Sequence, residues 1–232
     1  MKTIGVIGGM SWESTVPYYR DLNELVKQRL GGLHSAKAIV YSVDFHDVAL
    51  MQRTGAWDAA GELMASAARS LQAAGADLIL LATNTMHEVA PAIEAAIDVP
   101  FIHIADPTAA AIKQAGLTRV GLLGTRFTME REFYRSRLET LHGIGVLTPP
   151  EDDRAEVHRV IYEELALGVI SDSSRRAFSE IIERLVEAGT EGVILGCTEI
   201  GLLIHAEDSP VPLFDTGALH VRAAVDMALA AD

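Results

Sequence analysis

The sequence predicts an α/β protein made of two similar, doubly wound halves with mainly parallel sheets related by pseudo-twofold symmetry. Short apolar runs alternate with amphipathic segments along the 232 residues, an order typical of parallel sheets. Three landmark pairs recur in the same order, namely Gly8 and Gly124, Thr83 and Cys197, and Pro100 and Pro212, at offsets of 116, 114 and 112 positions. A repeat of this kind indicates a diverged duplication of one α/β unit.

The first half is expected to contain four strands, over residues 3–8, 38–43, 78–81 and 100–103. Residues 44–46 are interpreted as the end of the second strand. Apolar residues recur at helical spacing over residues 14–30 and 57–74, and further helices are expected after His87 and over residues 107–116. Ser11 can cap the first of these helices.

The second half repeats this order, with strands expected over residues 118–125, 143–148, 193–195 and 211–214 and two helices between residues 157 and 185. Gly196 ends the third strand, and Cys197 is expected at the start of a helix, where the dipole favours a thiolate. A closing helix begins near Gly217. The predicted first domain is 1–98 with 212–232, and the predicted second domain is 99–211.

Composition restricts the possible functions. The net charge of −13 argues against a nucleic-acid partner, because phosphate binding requires a basic surface. One cysteine excludes an intrachain disulfide and suits a reducing compartment. No apolar run is long enough to span a bilayer, and no signal peptide precedes the first strand. We therefore expect a soluble cytoplasmic protein that contacts no membrane.

Ligands of parallel sheets bind beyond the carboxyl ends of the strands. If the two halves face each other across a cleft, Thr83 and Cys197 approach one ligand from opposite sides. Two opposed acid/base groups can remove a proton from one face of a carbon and return one to the other, which inverts the stereocentre. This chemistry requires neither metal nor cofactor, and the sequence contains no metal-binding motif and no nucleotide fingerprint.

Four motifs carry a family resemblance: Gly8-Gly9-Met10-Ser11, Thr83-Asn84-Thr85-Met86-His87, Gly124-Thr125 and Gly196-Cys197-Thr198-Glu199. With them the chain resembles the aspartate/glutamate racemases, and looks like their L-specific or broad-specificity branch. The resemblance implies a PLP-independent isomerase, two α/β halves with the active site between them, an acidic amino acid as substrate, and a homodimer.

The resemblance also implies residue roles. Cys197 matches the base that takes the α-proton of an L substrate, and Thr83 stands where many members have a second cysteine. Because a hydroxyl is a poor base at neutral pH, we expect a racemase biased toward L to D conversion. The expected substrate-binding residues are Met10, Ser11, Gln52, Asn84, Thr85, Thr125 and Thr198. Arg53 and Arg126 are further candidates for the distal carboxylate. The segment 161–168 resembles a family helix that can carry a substrate-binding lysine, but it has none.

Two other functions fit the same residues. A single cysteine also suits a decarboxylase or diacid isomerase of the same superfamily, although a second donor at Thr83 favours racemisation. A non-catalytic protein that binds acidic amino acids would suit the duplicated layout equally well. His87, four residues after Thr83, is interpreted either as orienting Thr83 or the substrate, or as a histidine hydrogen-bonded within the site.

Overall fold

The computed structural model describes residues 1–230 and confirms the predicted α/β class with two four-stranded parallel sheets. The strands are β1 (Ile4–Gly8), β2 (Ala38–Ser42), β3 (Leu78–Leu81), β4 (Phe101–Ile102), β5 (Arg119–Gly124), β6 (Gly145–Leu147), β7 (Val193–Gly196) and β8 (Leu213–Asp215). The helices are α1 (Trp12–Leu30), α2 (Phe45–Thr54), α3 (Trp57–Ala73), α4 (Ala90–Glu94), α5 (Ala105–Gln114), α6 (Arg126–Glu130), α7 (Glu132–Ser136), α8 (Glu151–Glu163), α9 (Asp172–Glu187) and α10 (Thr216–Leu229). Short 3-10 turns cover Thr85–Val89, Leu165–Leu167, Ile200–Leu202 and Ala206–Asp208, and a π-helical turn covers Arg137–Leu141.

The chain forms two compact units, one of residues 1–104 with 220–232 and one of residues 105–219. Residues 99–104 therefore lie in the first unit, because β4 completes its sheet by pairing with β3. Residues 212–219 lie in the second unit, because β8 pairs with β7. Both segments were assigned to the other domain from the sequence. Residues 231 and 232, the end of the predicted first domain, lie outside the described residues.

The first sheet has the strand order β2-β1-β3-β4 and is covered on both faces. Alternate residues of β1 and β3 point to opposite sides, as the two-residue period of a strand requires. Ile7 and Ile79 pack with α2 and α3 on one face. Ile4 and Leu80 pack with α1 and α10 on the other. This double cover explains why these strands are apolar along their whole length.

The second sheet repeats the first, with the order β6-β5-β7-β8. Leu123, Val193 and Leu195 form a core with α8 and α9. The alternate residues Leu122 and Ile194 are also fully buried. The matched order in the two sheets is the topology that a duplicated α/β unit produces.

Two sequence interpretations of local structure are wrong. Residues 45 and 46 do not end a strand but begin α2, because the Asp44 side chain accepts a hydrogen bond from the backbone N–H of His46 at 2.9 Å and caps the helix. Cys197 does not begin an α-helix. The N–H of Ile200 donates to the carbonyl of Cys197 at 3.0 Å. This hydrogen bond from residue i+3 to residue i closes a tight turn.

Among residues 1–230, none of the helices combines the length and the apolar composition that crossing a bilayer demands.

The close approach of β5 to β7 gives a stability prediction. A Cβ atom on Gly124 would lie 2.7 Å from the backbone oxygen of Gly196, so Gly124→Ala should push the strands apart. We expect the free energy of unfolding to fall by about 1–3 kcal/mol in urea denaturation. Gly145→Ala is the matched control, because its added methyl would lie 3.6 Å from the nearest atom. Equal unfolding midpoints for the two variants would contradict the prediction.

Candidate active site

The strand register shows that Thr83 and Cys197 occupy equivalent positions in the two units. Gly5 of β1 pairs with Ile79 of β3. The positions 116 and 114 residues further along are Gly121 and Val193, and these pair in the second sheet. Thr83 lies four residues after Ile79, and Cys197 lies four residues after Val193. The duplication inferred from sequence offsets is therefore matched residue by residue in the hydrogen-bonded strands.

The first unit brings most of its predicted site residues to the carboxyl edge of one sheet. Met10 and Ser11 follow β1, and Thr83, Asn84 and Thr85 follow the neighbouring strand β3. All five are buried. The side chain of Ser11 caps α1 by accepting from the backbone N–H of Ser14 at 3.3 Å, so part of its hydrogen-bonding capacity holds the helix.

Gln52 reaches the same edge from α2, the helix that the sequence did not predict. The side chain of Gln52 is buried, and its Nε2 contacts the Met86 Sδ at 3.2 Å. This contact holds the amide against the loop that follows β3. Arg53, the next residue, is exposed, because the helical turn directs neighbouring side chains to different faces.

The second unit places Thr125 and Cys197 side by side. Gly124 pairs with Gly196 at the ends of β5 and β7, and each predicted site residue follows its glycine directly. Both side chains are buried. Thr125 also caps α6, since its Oγ1 accepts from the backbone N–H of Thr128 at 3.3 Å.

A buried carboxylate lies against the Cys197 thiol. The Sγ of Cys197 donates to Oε2 of Glu199 at 2.8 Å, and the Thr198 hydroxyl donates to the same oxygen at 3.0 Å. Glu199 is 3% exposed. The motif Gly-Cys-Thr-Glu contains this residue, but the sequence interpretation gave it no role. The sequence feature that could have identified Glu199 is its position two residues after the only cysteine.

The surroundings of Cys197 favour the thiol over the thiolate. Burial raises the pKa of this thiol well above its ordinary value, and the negative charge of Glu199 raises it further. The expectation that a helix dipole favours the thiolate is therefore wrong, because the cysteine is followed by a tight turn and a carboxylate. Ionising this thiol requires a group that accepts its proton, and Glu199 is in contact with it.

Arg126 lies beside Thr125 at the same sheet edge and is exposed. Its backbone N–H donates to Nδ1 of His158 at 3.2 Å, and its guanidinium lies 5.7 Å from the ring centre of Phe127. Burial and the positive charge of Arg126 lower the pKa of His158. The negative charges of Glu130 and Glu163 act in the opposite direction but do not outweigh this effect. The ring of His158, in α8, is thus hydrogen-bonded to the start of α6, the helix that follows β5.

The segment 161–168, which resembles a family helix that can carry a lysine, contains no lysine. Glu164 accepts from the Ser174 hydroxyl at 2.5 Å and from Arg159 at 3.0 Å. This segment therefore contains a carboxylate whose hydrogen-bond donors both lie within the second unit. Across residues 1–230, no three His, Cys, Asp or Glu side chains are placed to hold a metal ion together.

The sequence model that describes the Asp/Glu/hydantoin racemases matches residues 7–224. The chain belongs to this racemase family. A solved structure from Yersinia pestis, described provisionally as an Asp/Glu racemase, is 57% identical, covers 99% of this chain and 100% of its own, and superposes with a TM-score of 0.92. An aspartate racemase homologue from Pyrococcus horikoshii OT3 is 35% identical, with 98% and 99% coverage and a TM-score of 0.84. A broad specificity amino-acid racemase of Bacillus subtilis is 22% identical over 98% of each chain.

The pair formed by Cys197 and Glu199 gives a titration prediction for this racemase-family protein. Glu199→Gln removes a negative charge that disfavours the thiolate, so the pKa of Cys197 should fall. The rate of iodoacetamide alkylation, followed against pH, reports this change on the protein's single cysteine. In the variant, the rate should rise at a lower pH than in the wild type.

Glu207→Gln is the control for that titration, because it makes the same chemical change at an exposed position of the same unit. Its alkylation profile should overlay that of the wild type. A Glu199→Gln profile that stays in place, or moves to higher pH, would show that the carboxylate does not set the ionisation of the thiol.

Proposed function

We propose that this protein racemises L-aspartate, L-glutamate or both at Cα without a cofactor, using Cys197 and Thr83 as unequal acid/base groups. The observation that carries the proposal is the equivalent placement of a thiol and a hydroxyl at the ends of β7 and β3. Family membership supports a proton transfer of the racemase type. The names of two relatives, an aspartate racemase homologue and a broad specificity amino-acid racemase, support an amino-acid substrate.

On the L side, Cys197 takes the α-proton. The thiol proton moves to Oε2 of Glu199, 2.8 Å away, as the sulfur accepts the proton from Cα. The electron pair of the broken C–H bond then resides on the substrate as a carbanion delocalised into its carboxylate. A buried carboxylate as acceptor avoids the need for a free thiolate in the resting protein, which its surroundings disfavour.

On the opposite side, the Thr83 hydroxyl donates a proton to the carbanion. Solvent water then returns a proton to Thr83 and takes the extra proton from Glu199, so both groups regain their starting states. In the reverse direction the hydroxyl would have to act as a base, and its pKa is far above that of a thiol. The forward and reverse rates from the two enantiomers are therefore expected to differ. Because the two enantiomers have equal free energy, kcat/KM must be the same for both, so under this proposal the asymmetry appears as a higher kcat from saturating L substrate than from saturating D substrate.

Substrate binding is assigned to the polar groups of the same strand ends: Met10, Ser11, Gln52, Asn84, Thr85, Thr125 and Thr198. Backbone N–H groups in these loops can hold the α-carboxylate while negative charge builds up on it. The amide of Gln52, held against the Met86 loop, is the proposed contact for the distal carboxylate. We also propose that the protein works in the cytoplasm as a homodimer. Its single free thiol suits a reducing compartment, and twofold dimers are the most frequent homo-oligomers.

The decisive experiment incubates the pure protein with L-glutamate or L-aspartate without added cofactor, and follows optical rotation and released CO2. We expect slow loss of rotation and no CO2. Release of CO2 would indicate a decarboxylase, and tight binding with neither signal would indicate a binding protein. Cys197→Ala should lower turnover by about 10³-fold or more while the circular dichroism spectrum is unchanged.

The unequal roles are tested by solvent deuterium exchange at Cα, started from each enantiomer separately. Exchange from the L substrate should be faster than from the D substrate by about tenfold or more, because the thiol is the better base. Thr83→Cys should narrow the difference by supplying a second thiol. Equal wild-type exchange rates from the two enantiomers would overturn the proposed asymmetry.

A further inference from the structure

His87 connects the loop that contains Thr83 to the segment that follows β4. His87 is 1% exposed. The Nδ1 atom lies 2.8 Å from the backbone carbonyl oxygen of Thr83, and Nε2 lies 3.1 Å from the backbone nitrogen of Ile104. Ile104 is the last residue of the first unit before the chain continues into α5. One side chain thus bridges two backbone positions that are 21 residues apart.

The two contacts determine where the ring carries its proton. A carbonyl oxygen can only accept, so Nδ1 must hold a hydrogen and donate it to Thr83. A backbone N–H can only donate, so Nε2 must be unprotonated and accept from Ile104. His87 is therefore the neutral tautomer with its hydrogen on Nδ1. A proton gained or lost by the ring would cost one of these bonds, which makes it unsuited to act as an acid or base.

Neighbouring rings fix the plane of this imidazole. His103 packs edge-on with ring centres 4.4 Å apart, and Phe101 lies at 5.6 Å. His220 lies at 6.0 Å and is itself held, since its Nε2 donates to the carbonyl of Ile102 at 2.7 Å. The ring of His87 cannot turn away from Thr83 without displacing buried neighbours, so its hydrogen bond has one direction.

We propose that His87 is a positioning residue that holds the Thr83 backbone so that its hydroxyl is aimed for proton donation. This inference rests on the proposed function, in which Thr83 protonates the carbanion. Because the hydrogen bond is made to the backbone carbonyl oxygen of Thr83 and not to its hydroxyl, His87 affects proton transfer only through the position of Thr83. Displacement of a reacting group by about 1 Å can cost about 10²-fold in rate, which is the scale of effect expected when this bond is lost.

Three variants separate the two hydrogen bonds. His87→Asn keeps a donor for the carbonyl four residues earlier. This chain contains such a bond, from Asn23 Nδ2 to the Tyr19 carbonyl at 2.6 Å. His87→Gln places its amide further out, near the former Nε2, and keeps a group that can accept from Ile104. His87→Leu removes both bonds. His34→Asn, in an exposed loop, controls for the loss of a histidine.

For L to D conversion, kcat of His87→Asn should stay within about threefold of the wild type, while kcat of His87→Gln and His87→Leu should fall about 30- to 100-fold. KM should change by less than about threefold in all three, because substrate binding does not use His87. The inference is overturned if His87→Asn is as slow as His87→Gln, or if His87→Leu keeps the wild-type kcat. If His87→Leu does not fold, the comparison between asparagine and glutamine decides.

A spectroscopic measurement tests the tautomer without any turnover. In protein labelled with ¹⁵N-histidine, the signal lost in His87→Asn should show a protonated Nδ1 and an unprotonated Nε2 at neutral pH. An Nε2–H tautomer or a doubly protonated ring would overturn the inference. If the wild type racemises no acidic amino acid, the proposed function fails and the positioning role fails with it. An active wild type with the wrong variant pattern refutes the positioning role alone.

Discussion

The hydrogen-bonded register of parallel strands constrains where this protein can place reactive groups. In each unit the two central strands end at the same level, and the chain then leaves the sheet through loops that begin with small residues. Gly124 and Gly196 pair at that level in the second unit, where a side chain on either would collide with the opposite backbone. The residues that follow, Thr125 and Cys197, are therefore delivered next to each other. A shift of one residue in register would turn these side chains to the other face of the sheet.

The duplication conserves this geometry while the chemistry of the two copies diverges. The second unit supplies a thiol in contact with a carboxylate that can take its proton. The first unit supplies a hydroxyl, whose backbone is held by the neutral ring of His87. The thiol thus has a proton acceptor in contact with it, and the backbone of the threonine is held in position. The two units therefore share one topology and differ in the electrostatic surroundings of the equivalent residues.

Much of the fold follows from the sequence, because buried parallel strands are apolar along their whole length and end at glycines. The offset between Thr83 and Cys197 agrees with the equivalent positions that the strand register gives these residues in the two sheets. Helix α2 was missed because Asp44, a helix cap, was interpreted as the end of a strand. The state of the cysteine was misjudged because it depends on burial and on the direction of one carboxylate. Neither property is encoded in residue spacing.

Other features depend on contacts between distant residues and could not be predicted from local sequence. The hydrogen on His87 is fixed by Ile104, 17 positions away, and the burial of Gln52 depends on a helix that the sequence interpretation lacked. The segment boundaries of the two units depend on which short strand pairs with which sheet. Strands β4 and β8 are only two and three residues long, so their sequences give little indication of their partners.

The protonated state of Cys197 also affects how the protein survives oxidants. Peroxides attack thiolates far faster than thiols, and a sulfenic acid formed on this residue would find no second cysteine in the chain with which to form a disulfide. Further oxidation of the sulfur would be irreversible. By keeping the proton on the sulfur, the buried carboxylate of Glu199 disfavours the thiolate, which is the form that peroxides attack. The hydrogen bond between these two residues thereby also shields the sulfur chemically.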